Sequence, residues 1–191
     1  KVYLEDSEQV VPRELPLMIW CDPVTLDWGE EERAELAADP ELAYLTRPLP
    51  GGAHFRPEGG RDSRMILLLF TYHLDALAPV WPPKFDPWYP EVALRAVAQM
   101  VPGFAVYLGD KMRRAFVDGG YYCKTAANRL VVGPTPVAGF QLMCGLSGYG
   151  IMAAAAAAEL LVATLTGGTL SEYAGEFRLD RGIEHANLPR A

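Results

Sequence analysis

The run Gly145-Leu-Ser-Gly-Tyr-Gly150 holds the residue types of this chain whose spacing could do chemistry. It stands between an apolar run, Phe140 to Cys144, and an alanine-rich run, Ile151 to Leu161. That order predicts a strand that turns through glycines into a helix N-terminus. Such a turn leaves backbone N–H groups unpaired and aimed outward, suited to an anionic or electron-rich group. The expected donors are the N–H groups of Gly148 to Ile151, and glycine lets a ligand approach where a Cβ would collide. The glycines are also expected to carry positive φ. Leu130 to Val132 supplies a further apolar run, and Gly133-Pro134 and Pro136 punctuate the stretch. Residues 119–161 therefore predict two short strands, the turn and one long small-residue helix.

Gly148-Tyr-Gly150-Ile-Met-Ala153 also fits the G-x-G-x-x-A form of a dinucleotide fingerprint. That motif opens a βαβ unit, so a second strand ending in Asp or Glu should follow roughly 20 residues on. Here the polar, turn-like TGGTLSEYAGEF follows instead, and an autonomous dinucleotide-binding domain is not expected. Phe140 to Thr166 carries a single charge, Glu159, which raises the alternative of a membrane span. A span needs about 20 apolar residues in one element, and Gly145, Ser147, Gly148 and Gly150 interrupt this one. A buried helix and no membrane span are expected.

Composition narrows the function classes. The 191 residues are 50% hydrophobic, enough for a real core in one domain or slightly more. Net charge is −7 with the two signs scattered, and Lys111-Met-Arg-Arg114 reads as a solvated helix end. No nucleic-acid partner is expected. Cys21, Cys123 and Cys144 form no CxxC pair and read as small buried thiols. His54, His73 and His185 are too scattered for a metal site. No metal and a reducing, cytoplasmic compartment are expected. The opening KVYLEDSEQVVP has neither an initiator Met nor the layout of a signal peptide, which suggests a fragment or processed product.

The elements that must position the turn follow from punctuation. Leu15 to Cys21 predicts a strand. Asp27 with Glu30 three residues on predicts the capped start of a polar surface helix running to Pro40. Ala53 to Pro57 and Met65 to His73, separated by EGGRDS, predict a hairpin. The continuously apolar Met65 to Tyr72 predicts a strand covered on both faces. APVWPPKFDPWYP is a proline-rich loop, and Glu91 to Met100 an amphipathic helix. Val106 to Val117 leads by strand or loop into the glycine segment.

These residues carry a resemblance. Tyr121-Tyr122, Thr125 and Val131-Val132-Gly133-Pro134 are similar to the YY-x-x-T-P-D-G-x-P-I-I-G-P pattern. Gly145, Ser147, Gly148 and Gly150 resemble the G-F-S-G-H-G that follows it. Both belong to the C-terminal segment of the FAD-dependent oxidoreductases of the D-amino-acid, sarcosine and glycine oxidase superfamily. Lys124, Thr125, Asn128 and Arg129 resemble the K-T-x-x-N-R motif of one branch, and Phe55-Arg-Pro-Glu-Gly-Gly60 its RPEGG hairpin. The resemblance spans about residues 15–182, with its specific motifs in 51–60 and 119–161. Departures are present. Leu130 replaces a usual proline, Tyr149 a common histidine, and Met152 a lysine that holds substrate carboxylates in sarcosine oxidases. Gly120 falls where some sarcosine oxidases attach flavin through cysteine, three residues from Cys123. No βαβ fingerprint precedes Gly148.

The resemblance implies an α+β chain: an antiparallel substrate-domain sheet with flanking helices, plus a strand–turn–helix segment that completes an FAD-binding Rossmann-like domain. Residues 1–117 would be part of the substrate domain, 118–183 the C-terminal segment of the FAD-binding domain and 184–191 a tail. It implies FAD as cofactor, held by Gly145, Leu146, Ser147, Gly148, Tyr149, Gly150 and Ile151. It implies an amine or amino-acid substrate, oxidised at a C–N bond by hydride transfer to the flavin, with His54 and Tyr122 at the substrate. Both also read as structural residues, as do Arg56 and Arg129, which could otherwise hold a substrate carboxylate. Tyr72 and His73 end an apolar strand that could face the pocket. The N-terminal FAD-binding half is the implied partner, in the same polypeptide or in another chain. The alternative is a non-catalytic remnant, or one subunit of a split flavoprotein.

Overall fold

A computed structural model describes residues 1–180. The chain divides into two compact units, Lys1–Gly120 and Tyr121–Ala191, so the division falls just beyond the expected 117/118 boundary. The expected tail from Glu184, with His185, lies outside the described residues.

The first unit is α+β. Its strands are β1 (Val2–Glu5), β2 (Met18–Trp20), β3 (Ala53–Pro57), β4 (Met65–Leu69) and β5 (Phe116–Val117). They form one sheet in the order β2-β3-β4-β1-β5, with every neighbouring pair antiparallel. The predicted hairpin is present as β3 and β4, with Phe55 opposite Leu68 and His54 opposite Leu69. Glycines 59 and 60 at its tip both have positive φ, +79° and +83°, the conformation glycine adopts without steric cost. β1 was not foreseen. VYLE gives only two inward residues, yet it lies between β4 and β5, and Val2 and Leu4 are buried.

One face of the sheet is the core. Val2, Leu4, Phe55, Ile66 and Leu68 point to it and are at most 3% exposed. The opposite face of β4, Met65, Leu67 and Leu69, is only half-buried, so the strand is not covered on both sides as its apolar run suggested. An apolar run alone does not reveal a half-solvated strand, because β4 fills its outer positions with Met and Leu rather than polar residues. Helix α2 (Tyr89–Ala98) has every residue from Val92 to Val97 buried and so is a core helix. Arg95, inside that run, reaches out to Glu91 at 2.7 Å and Glu32 at 2.9 Å and stacks 3.9 Å from the Trp28 ring centroid. Helix α1 (Glu30–Ala38) starts after Gly29, not at Asp27. The Glu32 carboxylate accepts the Gly29 N–H at 2.8 Å, so the acidic residue that closes this end lies two positions later than expected.

In the second unit, β6 (Val131–Pro134) and β7 (Gln141–Cys144) pair antiparallel, with Val131 opposite Cys144 and Pro134 opposite Gln141. Helix α3 (Gly150–Thr166) follows and ends on Gly167 in the left-handed region at φ 68°, an ordinary glycine stop. Two strands, turn and long helix are thus as the sequence predicted. The burial is not. Ala157 is the only fully buried residue of α3. Ile151 is 100% exposed and Met152 77%, with Val162 and Leu165 more than half exposed. The expectation of a buried helix is corrected: the described residues provide no layer to cover it. No helix among the described residues is long and apolar enough to cross a membrane.

Candidate functional site: the glycine turn before the long helix

The turn is held from beneath by Tyr121 to Arg129. Thr125 Oγ1 accepts the Arg129 N–H at 3.0 Å and donates to the Arg129 carbonyl at 2.7 Å. The Asn128 N–H donates to the Thr125 carbonyl at 2.9 Å, and Asn128 has φ 52°. Asparagine tolerates that left-handed value better than most residues. The K-T-x-x-N-R run is therefore a self-closed turn. Arg129 extends from it to Glu176 at 2.9 Å, which commits its guanidinium to an exposed structural ion pair.

Gly145 packs onto this support. Its φ is +70°, and a Cβ there would stand 3.0 Å from Thr125 Cγ2 and 3.4 Å from the Arg129 carbonyl oxygen. Glycine is required at this position by both conformation and space. Leu146 is half-buried. Ser147 also has positive φ, 51°, and its N–H donates to the Cys123 carbonyl at 3.1 Å. The backbone of Cys123 thus fixes the turn at its tightest point, a role that no side-chain motif announces.

Gly148 and Gly150 differ from Gly145. Neither is among the positive-φ residues. A Cβ on Gly148 would make only ordinary contact, 3.5 Å from Tyr122 Cζ, and one on Gly150 would meet only Leu146 Cβ at 4.0 Å. The positive φ expected of these glycines falls on Gly145 and Ser147 instead. The chain's own conformation and packing require glycine at neither 148 nor 150. Their small size leaves bare backbone facing outward.

Tyr149 is the N-cap residue and is exposed. The first helical bond of α3 runs from the Ala153 N–H to the Tyr149 carbonyl at 2.9 Å. The N–H groups of Gly150, Ile151 and Met152 precede it and have no intrahelical acceptor. No side chain caps this end. The helix runs 17 residues, so the positive end of its dipole reinforces these donors. Tyr122 flanks the turn: its ring lies beside Gly148, is about half exposed, and has Lys124 Nζ 5.6 Å from its centroid.

The remaining predicted residues lie in the first unit. His54 is half-buried on β3, on the side opposite the core, opposite Ile19 and Leu69. Its Nδ1 is 2.8 Å from the Gly52 carbonyl oxygen, which makes Nδ1 the protonated nitrogen and leaves Nε2 as the acceptor. Arg56 pairs with Glu58 at 2.6 Å. Tyr72 and His73 converge on a residue the sequence reading missed, Asp86. Its Oδ2 accepts from the Tyr72 hydroxyl at 2.8 Å and the Tyr44 hydroxyl at 3.3 Å, and lies 3.1 Å from His73 Nε2. The cysteines are not buried thiols. Cys21 and Cys123 are exposed and Cys144 is half-buried, since Cys21 leaves an edge strand and Cys123 lies on an open segment. Among the described residues no group of His, Cys, Asp and Glu is placed to hold a metal ion.

Comparison with protein-family models, with curated proteins and with solved structures finds no match to this chain.

Proposed function

We propose that this chain is the C-terminal part of a flavin-dependent oxidoreductase that oxidises a C–N bond of an amino acid or amine. The observation that carries the reading is the start of α3: N–H donors without acceptors, reached over two glycines that the chain itself does not require. A turn built this way fits the electron-rich edge of a flat ring system, which needs close backbone approach and hydrogen-bond donors at one rim. When bound, FAD supplies the hydride acceptor, and the protein's part is to place the substrate and bias the charge around the ring.

On this reading Gly150, Ile151 and Met152 hold the ring edge with backbone donors, and Gly148 leaves room for the ring to approach. Each donor–anion contact at a helix start is worth about 1 kcal/mol, so three of them bias the reduced, more negative state appreciably. Gly145, Ser147 and Leu146 shape the turn, and Tyr149 borders it. Tyr122 walls the turn beside Gly148. His54 serves the substrate from the open side of the first unit's sheet, with Nε2 as the acceptor it offers.

The exposed apolar side of α3 supports a second part of the reading. Ile151, Met152, Val162 and Leu165 together make an uncovered apolar surface, and such surfaces mark sites of association. Its occupant is the nucleotide-binding half of the flavin domain, in the same polypeptide or as a separate subunit. The test is to join or co-express this chain with that half and measure flavin content and the anaerobic rate of flavin reduction in Gly148→Val and Gly150→Val. Loss of either quantity supports the reading. Normal content and rate in both variants assign the turn a purely structural role.

A further inference from the structure

The first unit contains a cavity of about 220 Å³ between the end of β1 and the β3–β4 hairpin, lined by Asp6, Gln9, Val11, Pro12, Arg13 and Arg64. We propose that this cavity binds a small oxyanion, a carboxylate or phosphate group, between Arg13 and Arg64. The proposal goes beyond the flavin reading and does not depend on it.

Three observations carry it. Arg13 is held in place from behind. Its Nη1 donates to the Met65 carbonyl at 2.9 Å and its Nη2 to the carbonyls of Glu58 and Gly60 at 2.7 and 3.0 Å. All three acceptors are neutral, so its positive charge has no carboxylate within ion-pair distance among the described residues, and its buried Nε–H donates to nothing. A buried donor without an acceptor costs about 1–3 kcal/mol, so this guanidinium is under-satisfied as it stands. Second, the guanidinium of Arg64 makes no hydrogen bond or ion pair among the described residues, so its whole donor fork is uncommitted.

Third, the one acidic group at the cavity is already engaged. Asp6 is only 2% exposed, and its carboxylate accepts from the Val10 N–H at 2.8 Å, the Val11 N–H at 3.1 Å and the Tyr107 hydroxyl. Those bonds turn it toward its own loop and hold Gln9 at φ 54° beside the cavity. Two guanidinium groups therefore line the cavity with one carboxylate, which already accepts three hydrogen bonds. Val11 and Pro12 give the cavity an apolar wall, so the shape suits an anionic head on a short aliphatic stem. Guanidinium binds both carboxylate and phosphate through paired N–H···O bonds.

The test uses the full chain and two probes, sodium propionate and inorganic phosphate, each raised to about 20 mM at constant ionic strength with chloride so that screening does not change. Calorimetric titration and thermal unfolding are read together, because a ligand that binds only the folded chain raises its Tm. Saturable binding of either probe is expected, and the preferred probe identifies the source as a carboxylate or a phosphate. Arg64→Gln should weaken that binding at least tenfold without lowering the Tm of the ligand-free chain, since its guanidinium makes no hydrogen bond or ion pair among the described residues. Arg61→Gln, a neighbouring exposed arginine outside the cavity lining, should leave binding unchanged. Absence of saturable binding by both probes overturns the proposal. So does binding that survives Arg64→Gln, or that falls equally in Arg61→Gln.

Discussion

The Tyr122 ring lies against the bare backbone of Gly148, where an added Cβ would stand 3.5 Å from Cζ. That is ordinary van der Waals distance, so the chain leaves room for a side chain it does not carry. The contrast with Gly145, three residues earlier, gives a prediction that separates folding from ligand binding. Gly148→Val and Gly150→Val should change the unfolding free energy of this chain by less than about 1 kcal/mol, as surface changes usually do. Gly145→Val should cost about 2 kcal/mol or more, because it forces a β-branched residue to φ +70° and drives Cβ toward Thr125. Urea denaturation of the three variants checks this. Equal losses at all three positions would mean that 148 and 150 are structural glycines after all.

The uncovered side of α3 makes a second prediction. The purified chain should be colourless or nearly so after expression with ample FAD, because the turn supplies donors for only one edge of the cofactor. It should also bind hydrophobic dyes and self-associate. Replacing Val162 and Leu165, both more than half exposed, with Glu should suppress self-association and leave stability within about 0.5 kcal/mol. Stoichiometric flavin on the chain alone would show that the cofactor is held elsewhere.

Much of this could be read from residue order, for particular reasons. The β3–β4 hairpin was legible because Glu58-Gly-Gly60 sits between two apolar runs. The β6–β7–turn–α3 order was legible because Gly133-Pro134 and the three glycines of 145–150 punctuate short runs. Burial was not legible. Alanine and leucine in α3 imply cover, but cover depends on what other chain segments reach the helix, and no local pattern encodes that. The Cys123–Ser147 bond is between backbone groups and leaves no side-chain signature. Asp86 was missed because its partners, Tyr44 and the adjacent Tyr72 and His73, come from two stretches far apart in the sequence.

The Asp86 cluster sets a pH window. Burial opposes ionisation of Asp86, but the Trp88 N–H, His73 and the Tyr72 hydroxyl outweigh it and hold its pKa below the usual carboxylate value. A lowered folded pKa means that its stabilising contribution is present above about pH 4, the unfolded value, and is lost as pH falls through the folded one. Tyr44 has the opposite sign. Burial, then the charge of Asp86, pushes its pKa up to about 12, so its contribution holds below about pH 10 and is lost as pH rises toward 12. Between these limits the contributions of Asp86 and Tyr44 should be constant in stability against urea. The difference between wild type and Asp86→Ala should be about 2 kcal/mol at neutral pH and shrink in acid. Tyr44 should ionise at lower pH in the Asp86→Ala variant, read by ultraviolet absorbance. An unchanged acid limb in that variant would show that Asp86 does not contribute to it.

Arg95 offers a test of the core. It is 8% exposed within an otherwise apolar buried run of α2, stacked on Trp28 and tied to Glu32 and Glu91. Arg95→Ala removes the stacking area and leaves the Asp27 carbonyl without the guanidinium donor it has now. A loss of about 3 kcal/mol is expected, enough to unfold a marginal domain. Arg95→Met keeps much of the packing and should lose less. If both variants match wild type in urea, the guanidinium is a surface group in solution.

The last prediction concerns the substrate side of the proposed enzyme. His54 and Tyr122 come from different units, and neither lies among the backbone donors at the start of α3. Changing them should leave flavin content of the joined or co-expressed protein intact and alter the rate at which substrate reduces the flavin. His54→Ala removes the free Nε2 acceptor while its Nδ1 bond to Gly52 is local, so folding should persist. Tyr122→Phe keeps the ring beside Gly148 and deletes only the hydroxyl. Hydride leaves a neutral amine more readily than a protonated one, so the wild-type reduction rate should rise with pH, and a residue that binds the amine should move that profile when removed. Anaerobic stopped-flow reduction across pH in both variants decides the matter. A shifted profile in His54→Ala with unchanged flavin content places His54 at the substrate. Identical rates, apparent affinities and profiles in both variants would leave the glycine turn as the chain's whole share of the chemistry.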